Sequence, residues 1–441
     1  MSSFRIKFVT KQEKYAIPSL PYELSSSAGG KELNALINAV LSESNAEWNP
    51  LEFDFLIFDQ LLKDTIEEHL NDVFAKTGEV ISSENELIVE YIVKEPTPEA
   101  FNSLLNDDWV SCIHTNDTLI INGCYDGLIN IWLTNGQHLI SIPAHGSPVK
   151  DVCFVLEQSL SEAGIAFEDD DYMFMSASHD ENIILWKFNV NSKEVDCLNV
   201  FRGHERSVDC IALNNDILAS GSFDNRIKIW SLSNKEKNSE SRDNSKTKKK
   251  ADSTEEEMEN ITRTPLFTMG GHSEAVTDIA WLTDSNSNDV VDLASCSMDN
   301  TIRLWDIEVG KEKSTLSGSK AFLAMDFSVL NRCLITGSCD RHIRLWDPRS
   351  NEGSLVKSVF TNHQGWVSSI CWSKTKEHLF ISGGYDNYVK QWDTRCQKAP
   401  LYDLIGHNDK VLAVDWSNPR YIISGASDNH MRIFQVKDNN E

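Results

Sequence analysis

The chain has 441 residues, with 41 lysines and arginines against 67 aspartates and glutamates, so its formal net charge is −26. A field of this sign disfavours non-specific binding to nucleic acid or membrane surfaces and suits docking on basic partners. No run approaches the ~20 apolar residues of a membrane helix, and the N-terminus lacks the apolar stretch of a secretory signal. Ten scattered cysteines without a Cys-x-x-Cys pair indicate reduced thiols. We therefore expect a cytosolic or nuclear protein that does not bind membranes.

Residues 1–94 alternate between strand and helix patterns. This segment carries 8 basic and 16 acidic residues, so it is an acidic module. The order of its elements predicts an α+β ubiquitin-like domain. The predicted elements are a strand at 4–9, an extended stretch at 14–24, a helix at 31–41, a strand at 53–57, a helix at 65–77 and a strand at 86–92.

Residues 95–108 contain Pro96 and Pro98 and few apolar side chains. Such composition is typical of a connector between domains. We expect a linker here, followed by a second domain at 109–437.

The second domain is defined by a repeat in which an aspartate precedes a bulky aromatic residue by six positions. Several successive aromatics lie 41 to 46 residues apart, and a propeller blade takes ~40–45 residues. The chain resembles the WD-repeat family, whose name-giving dipeptide stands at Trp305-Asp306, Trp346-Asp347 and Trp392-Asp393. The resemblance implies a mainly β fold, a seven-bladed propeller. The seven pairs are Asp126/Trp132, Asp180/Trp186, Asp224/Trp230, Asp299/Trp305, Asp340/Trp346, Asp386/Trp392 and Asp428/Phe434.

The WD-repeat resemblance also implies a buried hydrogen-bond chain in each blade, from tryptophan to serine or threonine, to histidine, to aspartate. Because Ser, His and Asp recur in copy after copy, we interpret them as structural and expect no enzyme activity. The first copy has Asn122 in place of serine, the fifth has Gly318-Ser319 in place of Gly-His, and Phe434 replaces the last tryptophan. We expect those three blades to depend more on packing. The network residues assigned are His204, Ser220, Asp224, Trp230, His272, Ser295, Asp299, Trp305, His363, Ser382, Asp386 and Trp392.

Two insertions interrupt the repeats. The segment 234–263 is rich in Lys, Glu, Ser and Asn and is predicted to be disordered. It contains Lys248-Lys249-Lys250, a weak pattern for nuclear import. The acidic segment Glu157–Asp171 is expected to be a surface loop. The last repeat lacks room for an outer strand, which we expect to come from the segment before Trp109, unless the blade stays three-stranded.

Further motifs extend the resemblance to almost the whole chain. They are Phe53-Asp54-Phe55-Leu56-Ile57, Ser82-Ser83-Glu84 and Asp107-Asp108-Trp109-Val110-Ser111. With these motifs the chain resembles the WD-repeat ribosome-biogenesis family that assembles with pescadillo and block-of-proliferation on large-subunit (pre-60S) precursors. The resemblance implies a location in the nucleolus and nucleoplasm. It also implies that the metal-dependent adhesion site of midasin, an AAA ATPase, grips the ubiquitin-like domain and releases the factor.

Glu84 is the residue that the resemblance assigns to this contact. An incoming carboxylate would complete the coordination of Mg²⁺ held by midasin, because Mg²⁺ prefers hard oxygen ligands. The protein would need no cofactor of its own. Glu79 and Glu86 are competing candidates, since a small shift in alignment would move the assignment.

Two other functions stay open from the sequence. Trp346-Asp-Pro-Arg349 and Trp392-Asp-Thr-Arg395 match a pattern found in substrate receptors of cullin-type ubiquitin ligases. A Notchless-type assembly factor would share both domains but act on a different precursor. Direct contact with rRNA is left undecided, as are the propeller residues that bind each partner.

Overall fold

A computed structural model describes residues 3–44, 48–58, 60–62, 64–77, 86–156, 170–233, 262–284, 287–349, 356–397 and 399–437. Residues up to Thr97 form most of one compact unit, and Pro98 to Val436 form most of a second. The boundary therefore falls a few residues beyond the expected position 94. Within the described ranges, no helix combines the length and the apolar character that crossing a membrane requires.

The first unit is a five-stranded mixed sheet whose apolar side chains share one core with residues of two helices. In the sheet the strands lie in the order Pro21–Ser25, Ser3–Val9, Leu87–Val93, Phe53–Ile57 and Gln60–Leu61, and Ser3–Val9 runs parallel to Leu87–Val93, with Ile6 beside Leu87. This is the ubiquitin-like arrangement expected from the sequence. The elements are β1 Ser3–Val9, a 3-10 turn at Glu13–Tyr15, β2 Pro21–Ser25, α1 Gly30–Ser44, β3 Phe53–Ile57, β4 Gln60–Leu61, α2 Ile66–Thr77 and β5 Leu87–Val93.

Helix α1 is held on the sheet by an apolar stripe and by an amide. Leu33, Ile37 and Leu41 recur every fourth residue, so they share one face, and all three are buried. Asn34 clamps β3, because its amide nitrogen donates to the Phe53 carbonyl at 2.9 Å and its oxygen accepts from the Phe53 N–H at 2.7 Å. These bonds fix the register of the helix against the strand.

The second unit is a seven-bladed propeller in which each blade is an antiparallel sheet with its first strand innermost. Alternating residues on each strand pack against the two neighbouring blades, and the inner strands of adjacent blades touch around the whole ring, from β7 to β32 and back. Blades 1 to 3 are built from Val110–Thr115, Leu119–Cys124, Leu128–Leu133 and His138–Pro143 (β7 to β10); Val149–Phe154, Asp171–Ser178, Asn182–Asn189 and Val195–Arg202 (β11 to β14); and Val208–Asn214, Ile217–Ser222, Arg226–Ser231 and Phe267–Gly270 (β15 to β17 and β19).

Blades 4 to 7 repeat the same order of strands. The outer strand of blade 7 comes from the opposite end of the propeller sequence. These blades are built from Val276–Asp284, Ser287–Ser297, Thr301–Asp306 and Lys311–Ser317 (β20 to β23); Phe322–Ser328, Cys333–Ser338, His342–Trp346 and Val356–Thr361 (β24 to β27); Val367–Trp372, Leu379–Gly384, Val389–Asp393 and Tyr402–Leu404 (β28 to β31); and Val411–Asp415, Tyr421–Ala426, His430–Gln435 and Glu99–Leu105 (β32 to β34 and β6).

Strand β6 corrects the expectation that 95–108 is a linker throughout. Glu99–Leu105 pairs antiparallel with β34, with Leu105 opposite His430 and Glu99 opposite Gln435. Both prolines precede the strand, so its hydrogen-bonded ladder is not interrupted. The ring thus closes with a strand from the segment before Trp109, as expected, and the edge of β34 is covered.

The insertion in blade 3 is also shorter than expected. Thr262–Arg263, placed by the sequence at the end of a disordered segment, instead forms strand β18, parallel to the outer strand of blade 2. The remainder, 234–261 with Lys248-Lys249-Lys250, lies outside the described residues, as does 157–169 of the acidic insertion. Asp171, assigned to that surface loop, begins β12.

Inner-strand side chains fasten each blade to the next. The Asp151 carboxylate, for example, accepts the Ile211 N–H at 2.8 Å, although burial raises the pKa of this group to about 7. Each such bond satisfies a polar group at a blade interface that packing alone would leave unpaired. The seven interfaces carry His114 with the Phe154 amide, Asp151 with the Ile211 amide, Trp281 with the Ala212 carbonyl, Asp278 with the Met325 amide, Asp326 with the Trp372 amide, Ser369 with the Val414 amide, and Asp415 with the Thr115 hydroxyl.

Closure by β6 predicts different stabilities for two truncated propellers. A fragment of residues 96–441 retains β6, whereas one of residues 107–441 lacks it and exposes the edge of β34. Burial of Leu104 alone is worth about 2 kcal/mol, so the shorter fragment should melt at a lower temperature and self-associate at its open edge. Thermal melting and light scattering compare the two. Equal melting temperatures would show that blade 7 does not depend on β6.

Candidate functional site

The residues assigned to the blade network meet inside the blades. In blade 3 the Trp230 Nε1–H donates to the Ser220 hydroxyl at 2.9 Å, and the His204 Nε2 lies 2.7 Å from the same oxygen. The His204 Nδ1 lies 2.8 Å from the Asp224 carboxylate. One serine oxygen therefore joins the third strand, the second strand and the loop that enters the blade.

The same geometry recurs in blades 2, 4 and 6. All the serine hydroxyls belong to fully buried residues, and the histidine side chains are covered as well. No substrate can reach such a hydroxyl without opening the blade. The corresponding sets are His145, Ser176, Asp180 and Trp186; His272, Ser295, Asp299 and Trp305; and His363, Ser382, Asp386 and Trp392.

The direction of these bonds follows from what each group can donate. An ionised aspartate only accepts, so the histidine Nδ1 carries the proton and its Nε2 accepts from the serine hydroxyl. Burial lowers the pKa of His272, which favours the neutral ring. Burial also raises the pKa of Asp299, but hydrogen bonds from Thr301 and His272 lower it by more, so the carboxylate stays ionised. Each bond in this hydrogen-bond chain has a donor and an acceptor when the histidine is neutral and the aspartate is charged.

The blade aspartate also shapes the turn that holds it. Asp224 Oδ1 accepts the N–H of Arg226, two residues ahead, at 2.9 Å, and Asn225 between them has φ +66°. This left-handed position suits asparagine and glycine, and Gly127 fills it in blade 1. A Cβ on Gly127 would lie 2.3 Å from the His145 carbonyl oxygen, so a side chain cannot fit there.

Blade 1 replaces the histidine with an amide network. Trp132 Nε1–H donates to Asn122 Oδ1 at 2.8 Å, and the amide groups of Asn122 and Asn130 both donate to Asn106 Oδ1 at 3.1 Å. Asn106 stands where histidine stands in other blades, four residues before the inner strand. Sequence reasoning missed it, although that spacing could have identified it.

Blade 5 replaces the histidine with arginine. Trp346 Nε1–H donates to Thr336 at 2.8 Å, while Asp340 accepts from Arg344 at 2.5 Å and from Ser319 at 2.7 Å. Burial raises the pKa of Asp340, but these hydrogen bonds hold it well below its usual range. The sequence predicts more reliance on packing in blades 1 and 5, and the structure adds polar contacts in place of the missing histidine. In blade 5 these contacts form two separate groups, Trp346 with Thr336 and Asp340 with Arg344 and Ser319.

Blade 7 keeps part of the hydrogen-bond chain from serine to histidine to aspartate. His407 Nε2 lies 2.8 Å from the Ser424 hydroxyl, and its Nδ1 lies 3.2 Å from Asp428. Phe434 has no N–H to donate, so it contributes only its buried ring. In this blade the packing of a phenylalanine ring takes the place of the tryptophan hydrogen bond.

The sequence candidates for partner binding fall in different places. Glu84 and Glu79 lie outside the described residues, whereas Glu86 is exposed directly before β5. Arg349 is bonded within its own turn, with Nε 3.1 Å and Nη2 3.3 Å from the Asp347 carboxylate. That pairing gives the Trp-Asp-x-Arg pattern a local structural role. Among the described residues, no cluster of three His, Cys, Asp or Glu side chains could hold a metal ion.

These features define a WD-repeat propeller preceded by a ubiquitin-like domain. The WD domain, G-beta repeat model matches residues 195–231, 263–306, 310–347, 353–393 and 398–435, and the NLE (NUC135) domain model matches residues 4–70.

Curated relatives match both units together. "Ribosome biogenesis protein WDR12 homolog" of Ixodes scapularis is 42% identical over 443 residues, covering 99% of each chain. The proteins of the same name from Culex quinquefasciatus and Anopheles gambiae are each 41% identical over 436 residues, covering 98% of this chain and 95% of the relative. The chain belongs to this family of ribosome biogenesis proteins.

The shared serine predicts a difference between two otherwise matched substitutions. Ser220→Ala leaves both the Trp230 N–H and the His204 Nε2 without a partner, at a cost of about 2–4 kcal/mol of unfolding free energy. Ser424→Ala leaves only His407 without its partner, because Phe434 donates nothing, so the cost should be about half as large. Denaturant unfolding of both variants measures the two losses of unfolding free energy. Equal losses would contradict the role assigned to the tryptophan N–H.

The buried histidine predicts a pH dependence of stability. Because burial depresses the pKa of His272 below its unfolded value, this group stabilises the fold above pH ~6.5 and loses that contribution as pH falls through the folded pKa. Glutamine does not titrate in this range. The loss of stability in His272→Gln relative to the native chain should therefore be largest near pH 7.5 and should shrink toward pH 5.5. Melting temperatures across this range test the sign. A constant deficit would show that His272 has no shifted titration.

Proposed function

We propose that the protein is a non-catalytic assembly factor for large-subunit precursors, acting in the nucleolus and nucleoplasm. Its propeller would scaffold pescadillo-type and block-of-proliferation-type proteins. Its ubiquitin-like domain would dock on the adhesion site of the midasin AAA ATPase, which then releases the factor from pre-60S particles. The observation that carries the proposal is identity of about 40% to proteins named for ribosome biogenesis, extending across both units.

A scaffolding role fits the chemistry of the blades. Each Ser-His-Asp set is buried, repeated around the ring and fully used in holding strands together. A catalytic hydroxyl needs an open position beside it for the reacting atom, and these sites have none. What the propeller offers is a rigid ring with wide faces for several partners.

Docking of the first unit on a metal-bearing site fits its charge and sequence. The module has a net charge of −8 from 8 basic and 16 acidic residues up to Lys94. Glu84 precedes β5, which lies in the middle of the sheet between β1 and β3. A Mg²⁺ ion that is held by a partner and has one open coordination position can bind a carboxylate oxygen.

The test is affinity purification of the tagged full-length chain beside Glu84→Ala, with quantitative mass spectrometry. The native chain should recover pescadillo-type and block-of-proliferation-type proteins, pre-60S particles and midasin. Glu84→Ala should retain the first three and lose most of the midasin, because the Mg²⁺ would lack its sixth ligand. Chelation of Mg²⁺ should reduce midasin recovery by the native chain to the same level.

Two matched variants locate the carboxylate. Glu79→Ala and Glu86→Ala remove neighbouring acids and should leave midasin recovery unchanged. Loss with Glu86→Ala instead would move the assignment to that residue. Unchanged recovery with all three variants would reject the metal contact, and recovery of cullin-ligase subunits without ribosomal precursors would reject the assembly role.

A further inference from the structure

Every blade brings two side chains together at the end of the ring that carries the blade aspartate. The residue before that aspartate donates its backbone N–H to the carbonyl of the residue before the inner strand. In blade 1, Tyr125 N donates to Trp109 O at 3.0 Å, and in blade 6, Tyr385 N donates to Trp366 O at 2.8 Å. The other pairs are Pro148 with His179, Ser207 with Phe223, Ala275 with Met298, Ala321 with Cys339, and Lys410 with Ser427.

Blades 1 and 6 carry aromatic residues at both of these positions. The Trp109 and Tyr125 rings lie 5.3 Å apart in an edge arrangement, and the Trp366 and Tyr385 rings are stacked 5.5 Å apart. Trp109 is nevertheless 46% exposed and Trp366 is 48% exposed. Indole rings held rigidly at the surface are typical of binding sites rather than of solvated loops.

Lysines cover the two tyrosines but not the tryptophans. Lys150 Nζ lies 5.8 Å from the Tyr125 ring centre, and Lys410 Nζ lies 5.2 Å from that of Tyr385. Lys150 is also balanced by Asp209, whose carboxylate lies 3.9 Å away. Lys410 belongs to blade 7, and the Asn429 amide of the same blade donates to the Asp107 carbonyl at 3.2 Å, so blade 7 joins the loops of the two aromatic pairs at one end of the ring.

Several carboxylates lie on the loops next to the exposed indoles. Asp107, Asp126 and Asp409 are exposed and Asp108 is half-buried, all on the loops that carry these aromatic pairs or join them through blade 7. Asp126 is open because Asn106 occupies the place that histidine takes in other blades. Its carboxylate accepts the Leu128 N–H at 2.9 Å and keeps lone pairs for a further donor.

We propose that Trp109 and Trp366, with Asp108 and Asp126, form a docking site for an arginine-containing basic segment of a partner protein. A guanidinium stacks on an indole face while its N–H groups pair with a carboxylate, which a lysine cannot do as well. The net charge of −26 attracts such a segment from a distance. Single-stranded RNA would also stack on the indoles, but the carboxylates repel its phosphates. The proposal does not depend on the partners proposed above.

The test measures binding of labelled peptides to the full-length protein by fluorescence anisotropy. A peptide of alternating arginine and glycine should bind more tightly than its lysine counterpart, and a glutamate counterpart should not bind. The double variant Trp109→Ala/Trp366→Ala should weaken arginine-peptide binding about tenfold or more. Asp126→Asn should weaken it less and should reduce its dependence on salt.

Phe223→Ala is the control, because Phe223 is a 42% exposed aromatic at the position in blade 3 that Tyr125 and Tyr385 hold in blades 1 and 6, and it faces Ser207 instead of a tryptophan. Its affinity for the arginine peptide should stay within about twofold of the native value. Melting temperatures show whether each variant folds. If the double variant is unfolded, the affinity of Asp126→Asn for the arginine peptide tests the proposal instead. Equal affinities of the native chain and the double variant, no arginine-peptide binding, or tighter binding of an oligouridine would each overturn the proposal.

Discussion

Four of the seven blades depend on one buried hydroxyl that serves two partners at once. A tryptophan N–H and a histidine Nε2 converge on the same serine oxygen, and the histidine in turn is held by an aspartate. In a low-dielectric interior each of these groups would be costly without its partner, so the blade is stable when all are satisfied together. The same aspartate sets the left-handed turn between the second and third strands. The network thus fixes the loops at one end of the ring, where the exposed pairs of side chains lie.

The blades that depart from this pattern show which part of it is indispensable. Blade 1 substitutes Asn106 for histidine and blade 5 substitutes Arg344, yet each still satisfies its tryptophan N–H. The requirement is therefore a satisfied donor, not a particular residue. The substitution in blade 1 has a second effect, since it leaves Asp126 exposed instead of bound to a ring nitrogen. Asp126 directly follows Tyr125, whose ring packs against that of Trp109.

Strand β6 links the two units through the covalent chain. Thr97 ends the first unit, and Glu99 already pairs with Gln435 in blade 7. The connector is therefore very short. If the first unit is pulled during release, as the proposed function requires, the force reaches the outer strand of blade 7 directly. That strand is held by an antiparallel ladder and by the buried Leu104, and blade 7 has Phe434 in place of the tryptophan that donates a hydrogen bond in the other blades.

The sequence by itself determined the repeat, the number of blades, the order of elements in the first unit and the composition of the common network. These features follow from short-range spacing, in which six residues separate aspartate from tryptophan and four separate histidine from the inner strand. Tertiary structure alone decided how Asn106 and Arg344 replace a histidine, because their partners come from separate strands. It also decided that Glu99–Leu105 pairs with His430–Gln435, over 300 residues away along the chain. It also placed Trp109 and Trp366 at the same end of the ring, because closure of the ring brings together loops that no local sequence pattern connects.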